Sequence, residues 1–382
     1  MTNHDLAVAH AARGPRLALA SILVTALAPG VAAASGYSVA VYQGNTFNRQ
    51  SLGMTGDGIN ADGDIVGEAP FDFLVDGALE GDSHGIIVKA GALADLTDLD
   101  HDANVQFGDG ARAVALNASR VAVGWSFAAT SVGGDVFQRP VAWQGGQVRD
   151  LGVFPHATTG YDDVEATGIS TGGQIVGFAL CNCSLPTVAW TLQGSTATSL
   201  RTLGGASAEA WGINDAGQVV GAADTRVAQV THAALWQSGT VRDLGALHGG
   251  MFSEAVSINA SGVAVGFSTL AETQNGVTLD FGDRHAVVFQ GGKITDLTPD
   301  LPFNNDAFAT AINAHGQIVG ARAGRAFLWQ NGVGVDLNTL IPANAGVTLT
   351  SANGINDSGQ IVVTGQLTAN QNTTVAVVLT PQ

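Results

Sequence analysis

The chain has 382 residues, 46% of them apolar and only 12% charged, with 51 glycines. That balance excludes a disordered chain, and the glycines follow no collagen period. Net charge is −17 with Lys89 and Lys293 as the two lysines, which excludes nucleic acid and anionic membranes as partners, since both need a basic face.

Residues 1–35 read as a signal peptide. Arg13 and Arg16 precede an apolar stretch over residues 17–28. Pro29 and Gly30 break it, and Ala32, Ala33 and Ala34 offer small residues for cleavage. The stretch is short for a membrane span. No later run of spanning length follows, so residues 36–382 are expected to be one exported, soluble and monomeric domain.

A repeat of roughly 49 residues fills that domain. Its first anchor is Ile-Asn, a three-residue stretch usually containing Gly, and a short aliphatic run ending in Gly. It occurs at Asn60, Asn117, Ser170, Asn214, Asn259, Asn313 and Asn356. In the first six copies the closing glycine lies seven residues on, at Gly67, Gly124, Gly177, Gly221, Gly266 and Gly320. The second anchor is a short strand ending in an aromatic or aliphatic residue: Val88, Trp143, Trp190, Trp236, Phe289, Trp329 and, in the last copy, Val378. Asp95, Asp150, Asp243, Asp296 and Asp336, each followed by Leu, come seven residues later. The third copy instead reads Ser199-Leu200 after a longer gap.

Four strands per copy follow. In the fourth copy they cover residues 208–214, 218–222, 232–237 and 241–245. Ser238-Gly239 joins the last two, as Gly145-Gly146, Gly291-Gly292 and Asn331-Gly332 do elsewhere; such pairs supply the positive φ that tight hairpins demand. A lone meander cannot bury both faces, but seven stacked around an axis can. The fold class is therefore all-β, a seven-bladed β-propeller of four-stranded antiparallel blades. The last copy lacks a fourth strand, and residues 37–42 precede the first anchor as an unassigned strand. The N-terminal strand is expected to complete the last blade and close the ring, which removes exposed edges.

The stretches Arg325-Ala326-Phe327-Leu328-Trp329-Gln330-Asn331-Gly332 and Ile213-Asn214-Asp215-Ala216-Gly217-Gln218-Val219-Val220-Gly221 resemble the HAF family of extracellular bacterial repeats. The likeness covers nearly the whole exported chain, and copies one, two and seven depart from it most. It implies export and a propeller-like fold, and little chemistry.

Turns between strands one and two and between three and four share one face, and all are tight. The opposite face carries the inter-blade connections and insertions at residues 68–83, 125–138 and 267–284, where binding is expected. Its candidate ligand residues are Trp125, His156, Tyr161, Asp162, Asp163, Glu165, His248, Phe252, Asp283, Phe303 and Asp306. Aromatic rings beside carboxylates and amides suit carbohydrate, since rings cover sugar C–H faces and acids accept hydroxyl hydrogens. The leading expectation is a non-enzymatic binding propeller for an extracellular polymer or protein. The alternative is a hydrolase or lyase acting on a polymer through paired carboxylates. Convergence of two or more acids at the axial mouth favours the enzyme; a shallow aromatic surface favours the binder.

Asp98, Asp100, Asp102, Asn104, Gln106 and Asp109 fall at positions 1, 3, 5, 7, 9 and 12 of a calcium-type loop. Ala103 stands where such loops need Gly, Asp109 is shorter than the usual Glu, and no helices flank the run. Calcium is the candidate cofactor there, against a solvated acidic loop. His84, His232 and His285 share one repeat position and are expected to make blade hydrogen bonds. His101, His156 and His248 lie in inter-blade loops, where a metal role competes with plain surface histidines. Cys181 and Cys183 read as a local loop feature.

Overall fold

Alternating apolar and polar residues, cut by tight turns, build seven four-stranded antiparallel sheets. The structure is a computed structural model. It describes residues 36–382 apart from 44–45, 48–49, 52, 76–77, 100–109, 130–135, 153–161, 182–184, 275–276 and 303–304. In the long hairpins and at some strand ends it describes the backbone alone. The innermost strands of blades one to seven are Thr55–Ile59, Ala111–Leu116, Asp162–Ile169, Gly204–Ile213, Ser253–Ile258, Ala307–Ile312 and Val347–Ile355. Each lies against the next, and Val347–Ile355 lies against Thr55–Ile59, so the sheets form a ring around a central channel.

The fourth blade runs Gly204–Ile213, Val219–Thr225, Thr231–Gln237 and Thr240–Gly245, within a few residues of expectation. Its outer turn, Ser238-Gly239, has φ of 50° and 76°, the positive values that its residue types promised. The seventh blade takes its fourth strand from the N-terminus: Tyr37–Tyr42 pairs antiparallel with Asn370–Pro381, Tyr37 opposite Pro381 and Tyr42 opposite Ala376. The insertions at residues 68–83 and 267–284 are strand rather than loop. Ile65–Val75 pairs with Ala78–Lys89 up to Val75 opposite Ala78, and Ala264–Gln274 pairs with Val277–Gln290 up to Gln274 opposite Val277.

Seven apolar clusters hold the ring, one at each blade junction. The last residue of the third strand packs back on the preceding blade: Trp143 Nε1 donates to Thr97 O at 2.6 Å and Trp236 Nε1 to Arg201 O at 2.7 Å. In the third blade that place belongs to Leu192, which pairs with Ile175 as Trp236 pairs with Val219. Trp190 sits two residues earlier, opposite Gly177. Ser199 therefore lies seven residues beyond the true strand end, and the apparent longer gap vanishes. In the last blade the same place is taken by Leu379, opposite Ile361, one residue beyond Val378.

The recurring Asp-Leu also acquires a reason. Asp95, Asp243 and Asp296 meet His84, His232 and His285 at 3.1, 3.0 and 3.0 Å, and Asp150 and Asp336 meet Arg139 and Arg325. These clasps tie strand four to strand three in five blades.

The anchor asparagines form a hydrogen-bonded ring around the channel. Each side-chain carbonyl accepts N–H groups of its own turn, two in every case but Asn117, which accepts from Val121 N; Asn313 Oδ1 accepts from His315 N and Gln317 N at 3.1 and 3.0 Å. Each amide then donates to the next anchor's carbonyl. Asn60 reaches Asn117, Asn117 reaches Ser170, Asn214 reaches Asn259, Asn259 reaches Asn313, Asn313 reaches Asn356 and Asn356 returns to Asn60. The gap falls where Ser170 has no amide to offer Asn214; there Thr171 N donates to Asp215 Oδ1 at 2.8 Å. Because Asn313→Ala deletes four such bonds in a buried turn, it is expected to cost about 3 kcal/mol, measured as a lower denaturant midpoint.

Candidate active site at the channel mouth

Every inner strand carries a β-bulge between the fourth and second residues before its anchor, as between Ala166 and Gly168. A bulge re-aims one side chain and pulls the strands together locally. The close approach explains the glycine seven residues after each of the first six anchors. A Cβ at Gly177, Gly221 or Gly266 would stand 1.9 Å from the carbonyl oxygen of Glu165, Glu209 or Glu254. The bulged residue bridges forward in three blades: Thr167 Oγ1 donates to Ala210 O, Thr310 Oγ1 to Ala352 O and Asn353 Nδ2 to Gly56 O, at 2.7, 2.6 and 2.7 Å.

Five residues before the anchors, nearer the long-hairpin face, lies a second ring. It reads Thr55, Arg112, Glu165, Glu209, Glu254, Phe308 and Ser351 around blades one to seven. Three consecutive blades thus present a glutamate at one level. Among the described residues these three carboxyls have no hydrogen-bond partner. Burial pushes Glu165 up to about 7, and the charges of Asp57 and Glu209 add to the rise while Arg112 opposes it. Burial pushes Glu254 up to about 8, helped by Glu209 and opposed by Arg284. Burial also raises Glu209, with Asp224 as the second cause. Glu165 and Glu254 hold protons near neutrality because they sit in a confined channel with too little positive charge to ionise them.

One strong ion pair stands beside them. Arg112 donates from Nε and a terminal nitrogen to both oxygens of Asp57, each at 2.9 Å, and lies 3.7 Å from Glu68. This fork–fork geometry fixes the guanidinium. Aromatic rings wall the remainder. Phe178 meets Trp211 edge-on at 5.0 Å, and Phe267 meets Phe308 at 5.5 Å. The Arg284 guanidinium lies 5.2 Å from the Phe267 ring centre and 5.4 Å from that of Phe308. The channel mouth can therefore donate and accept protons and hydrogen bonds at one rim, hold a fixed cation at another, and offer ring edges between them.

Of the residues singled out from sequence, the structure brings Glu165 and Trp125 to this mouth, Trp125 lying opposite Arg112 in the blade-two ladder. Phe252 joins its outer wall, 5.6 Å from Phe267. Asp163 accepts from Gln138 N at 3.2 Å, tying blade three to blade two, and Asp306 accepts from Arg284 N at 3.1 Å. His248 is exposed on the link between blades four and five, and Asp283 lies within the blade-five hairpin. Asp162 is described by its backbone, and His156, Tyr161 and Phe303 lie outside the described residues. Of the calcium-type run, Asp98 is described, buried where the chain leaves blade one. Asp100, His101, Asp102, Asn104, Gln106 and Asp109 lie outside, as does Cys183, and Cys181 is described by its backbone. Among the described residues no three His, Cys, Asp or Glu side chains are placed to hold a metal ion. Glu209 and Glu254 were missed from sequence. Their shared offset of five residues before the anchor, the same as that of Glu165, was the available signal.

No family model matches the chain, and no curated protein matches it. Among solved structures, the chain is similar to the Pyrococcus horikoshii acylaminoacyl peptidase and to a Mycobacterium tuberculosis puromycin-hydrolyzing peptidase. Both have a TM-score of 0.46, at 9% and 11% identity, over 82% of this chain. The chain spans about half the length of these two peptidases, 49% and 50%. A polysaccharide lyase, Uly1, is similar at a TM-score of 0.43 and 9% identity, with 94% of this chain and 90% of that one covered.

Proposed function

We propose that this is an exported propeller that binds a hydroxyl-rich extracellular polymer, a carbohydrate, at the channel mouth on its long-hairpin face. The observation that carries the reading is the arc of Glu165, Glu209 and Glu254, three carboxyls at one level on adjacent blades with no hydrogen-bond partner among the described residues. A carboxyl that titrates near neutrality both donates to and accepts from sugar hydroxyls, and Trp125 and Phe252 offer faces for sugar rings. The test is a panel of neutral, acidic and amino-sugar polymers scored for binding. Glu209→Gln and Glu254→Gln are each expected to weaken the best binder about tenfold, a difference of about 1.4 kcal/mol. Undiminished binding in both variants would move the site elsewhere.

A second reading, cleavage of the same polymer, is favoured by one observation. Glu165 keeps its proton to about pH 7 while feeling the charge of Asp57, which is itself ion-paired to Arg112. A proton-holding acid beside a paired carboxylate has the composition of a general acid and base. Product release in the same panel, abolished by Glu165→Gln with binding retained, decides for catalysis.

A further inference from the structure

We propose that the cleft between blades three and four, on the tight-turn face, is a separate binding site for a short, neutral, hydroxyl-rich ligand such as an oligosaccharide. The cleft has a volume of about 540 Å³, within the range of small-ligand sites. It lies at the opposite end of the blades from the channel mouth, and none of its lining residues belongs to the mouth.

Blade three departs from the repeat in ways that converge on this cleft. The residue before the end of strand three faces the next blade. It is Ile87, Ala142, Leu235, Val288, Leu328 and Val378 in the other six blades, each packed in the apolar cluster of its junction. In blade three it is Thr191, a hydroxyl where every other junction has a hydrocarbon. The missing ring amide acts on the same place. Asn214, Asn313 and Asn356 each donate from Nδ2 to the Oε1 of the glutamine four residues on, at 2.7, 2.7 and 2.9 Å, holding that glutamine to the turn. Ser170 cannot do so. Gln174 instead donates from Nε2 to Thr191 Oγ1 at 2.8 Å and lines the cleft.

The lining chemistry selects the ligand class. Gln174, Gln193, Thr191 and Thr198 present amides and hydroxyls that both donate and accept. Trp236 closes the blade-four wall, 3% exposed and fixed by its bond to Arg201 O. Among the described residues no carboxylate lines the cleft, in a chain that carries 32 acidic residues. Arg201 is its one charged side chain, and it is exposed. A neutral polyol satisfies the polar lining without the counter-charge that a cation or a polyanion needs.

The experiment is calorimetric titration of the purified chain with cello-, xylo-, manno- and N-acetylchito-tetraose. At least one is expected to bind with millimolar affinity or better. Thr191→Val, which installs the residue class of the other junctions and so keeps the fold, is expected to weaken it about tenfold. Ser170→Asn is expected to weaken it several-fold, by drawing Gln174 back to the turn, while raising the denaturant midpoint as the ring gains its missing bond. The binding that Thr191→Val weakens is expected to persist in Glu254→Gln, whatever that substitution does at the channel mouth, which separates the two sites. No binding by any tetramer, binding that survives both cleft variants, or binding lost in Glu254→Gln would each overturn the proposal.

Discussion

Deleting Tyr37–Tyr42 is expected to open the ring, lowering the thermal midpoint by about 10 °C or more and producing oligomers. The segment is the fourth strand of blade seven, paired along its length with Asn370–Pro381. Its N-terminal end is also held, by Tyr37 N donating to Leu340 O at 3.0 Å and Gln382 N to Gly36 O at 3.1 Å. Val41 is 5% exposed within the junction of blades six and seven, and Tyr42 is 8% exposed within that of blades seven and one. Burying two such side chains stabilises by about 4 kcal/mol together. The larger consequence is what deletion uncovers. Asn370–Pro381 carries Val375, Val377 and Leu379, all fully buried, and would become an unpaired apolar edge, a template for pairing with another chain. Val41→Asp tests the same contact with the strand retained, and about 3 kcal/mol of destabilisation is expected from a charge placed in an apolar junction. Size-exclusion chromatography with thermal unfolding reads both variants. A deletion variant that stays monomeric with the parent midpoint would show that the ring closes without its N-terminal strand.

The ring was legible because its signals are local. Anchor asparagines form turns with their own backbone, and Gly-Gly or Ser-Gly pairs make hairpins within two residues, so both can be read from short windows. The third blade misled because strands repeat with a period of two. A slip from Leu192 to Trp190 keeps every side chain on its face, and the aromatic residue drew the assignment. The insertions at residues 68–83 and 267–284 read as loops, although Asp76-Gly77 and Asn275-Gly276 at their centres are strong hairpin signals. The channel acids were the least legible. Glu209 and Glu254 each sit between small residues in an ordinary strand, and nothing local distinguishes them from solvent-facing positions. Their meaning arises from three blades placing the same register position around one axis. The bulge that orients that register left its trace in the closing glycine, visible from the start and explained only by the carbonyl lying 1.9 Å from where a Cβ would stand.

Stability is expected to fall by about 3 kcal/mol between pH 5 and pH 8 through the channel carboxyls. Their ordinary value is 4.5, and the folded protein raises Glu165 to about 7 and Glu254 to about 8, with Glu209 also raised. Across that window the native state holds protons that the unfolded chain has released, so raising the pH favours unfolding. The contribution is fully present below pH 4.5, and the loss levels off above pH 8. The size is set below the sum of the shifts because the channel stays open to water, which screens the charge once it forms. Asp57, Arg112, Asp224 and Arg284 are the charged groups that act on the arc, and the two arginines oppose the rise rather than cause it. Glu254→Gln keeps the shape and cannot ionise. It is expected to match the parent at pH 5 and to exceed it by about 2 kcal/mol at pH 8, read from denaturant midpoints at both pH values. The same substitution weakens polymer binding on the reading of the mouth given above. A variant both more stable and less able to bind is what a site held under electrostatic strain for its ligand should yield. A parent midpoint that stays flat from pH 5 to pH 8 would mean that the arc ionises freely in the native channel, and the donor role assigned to Glu165 would fall with it.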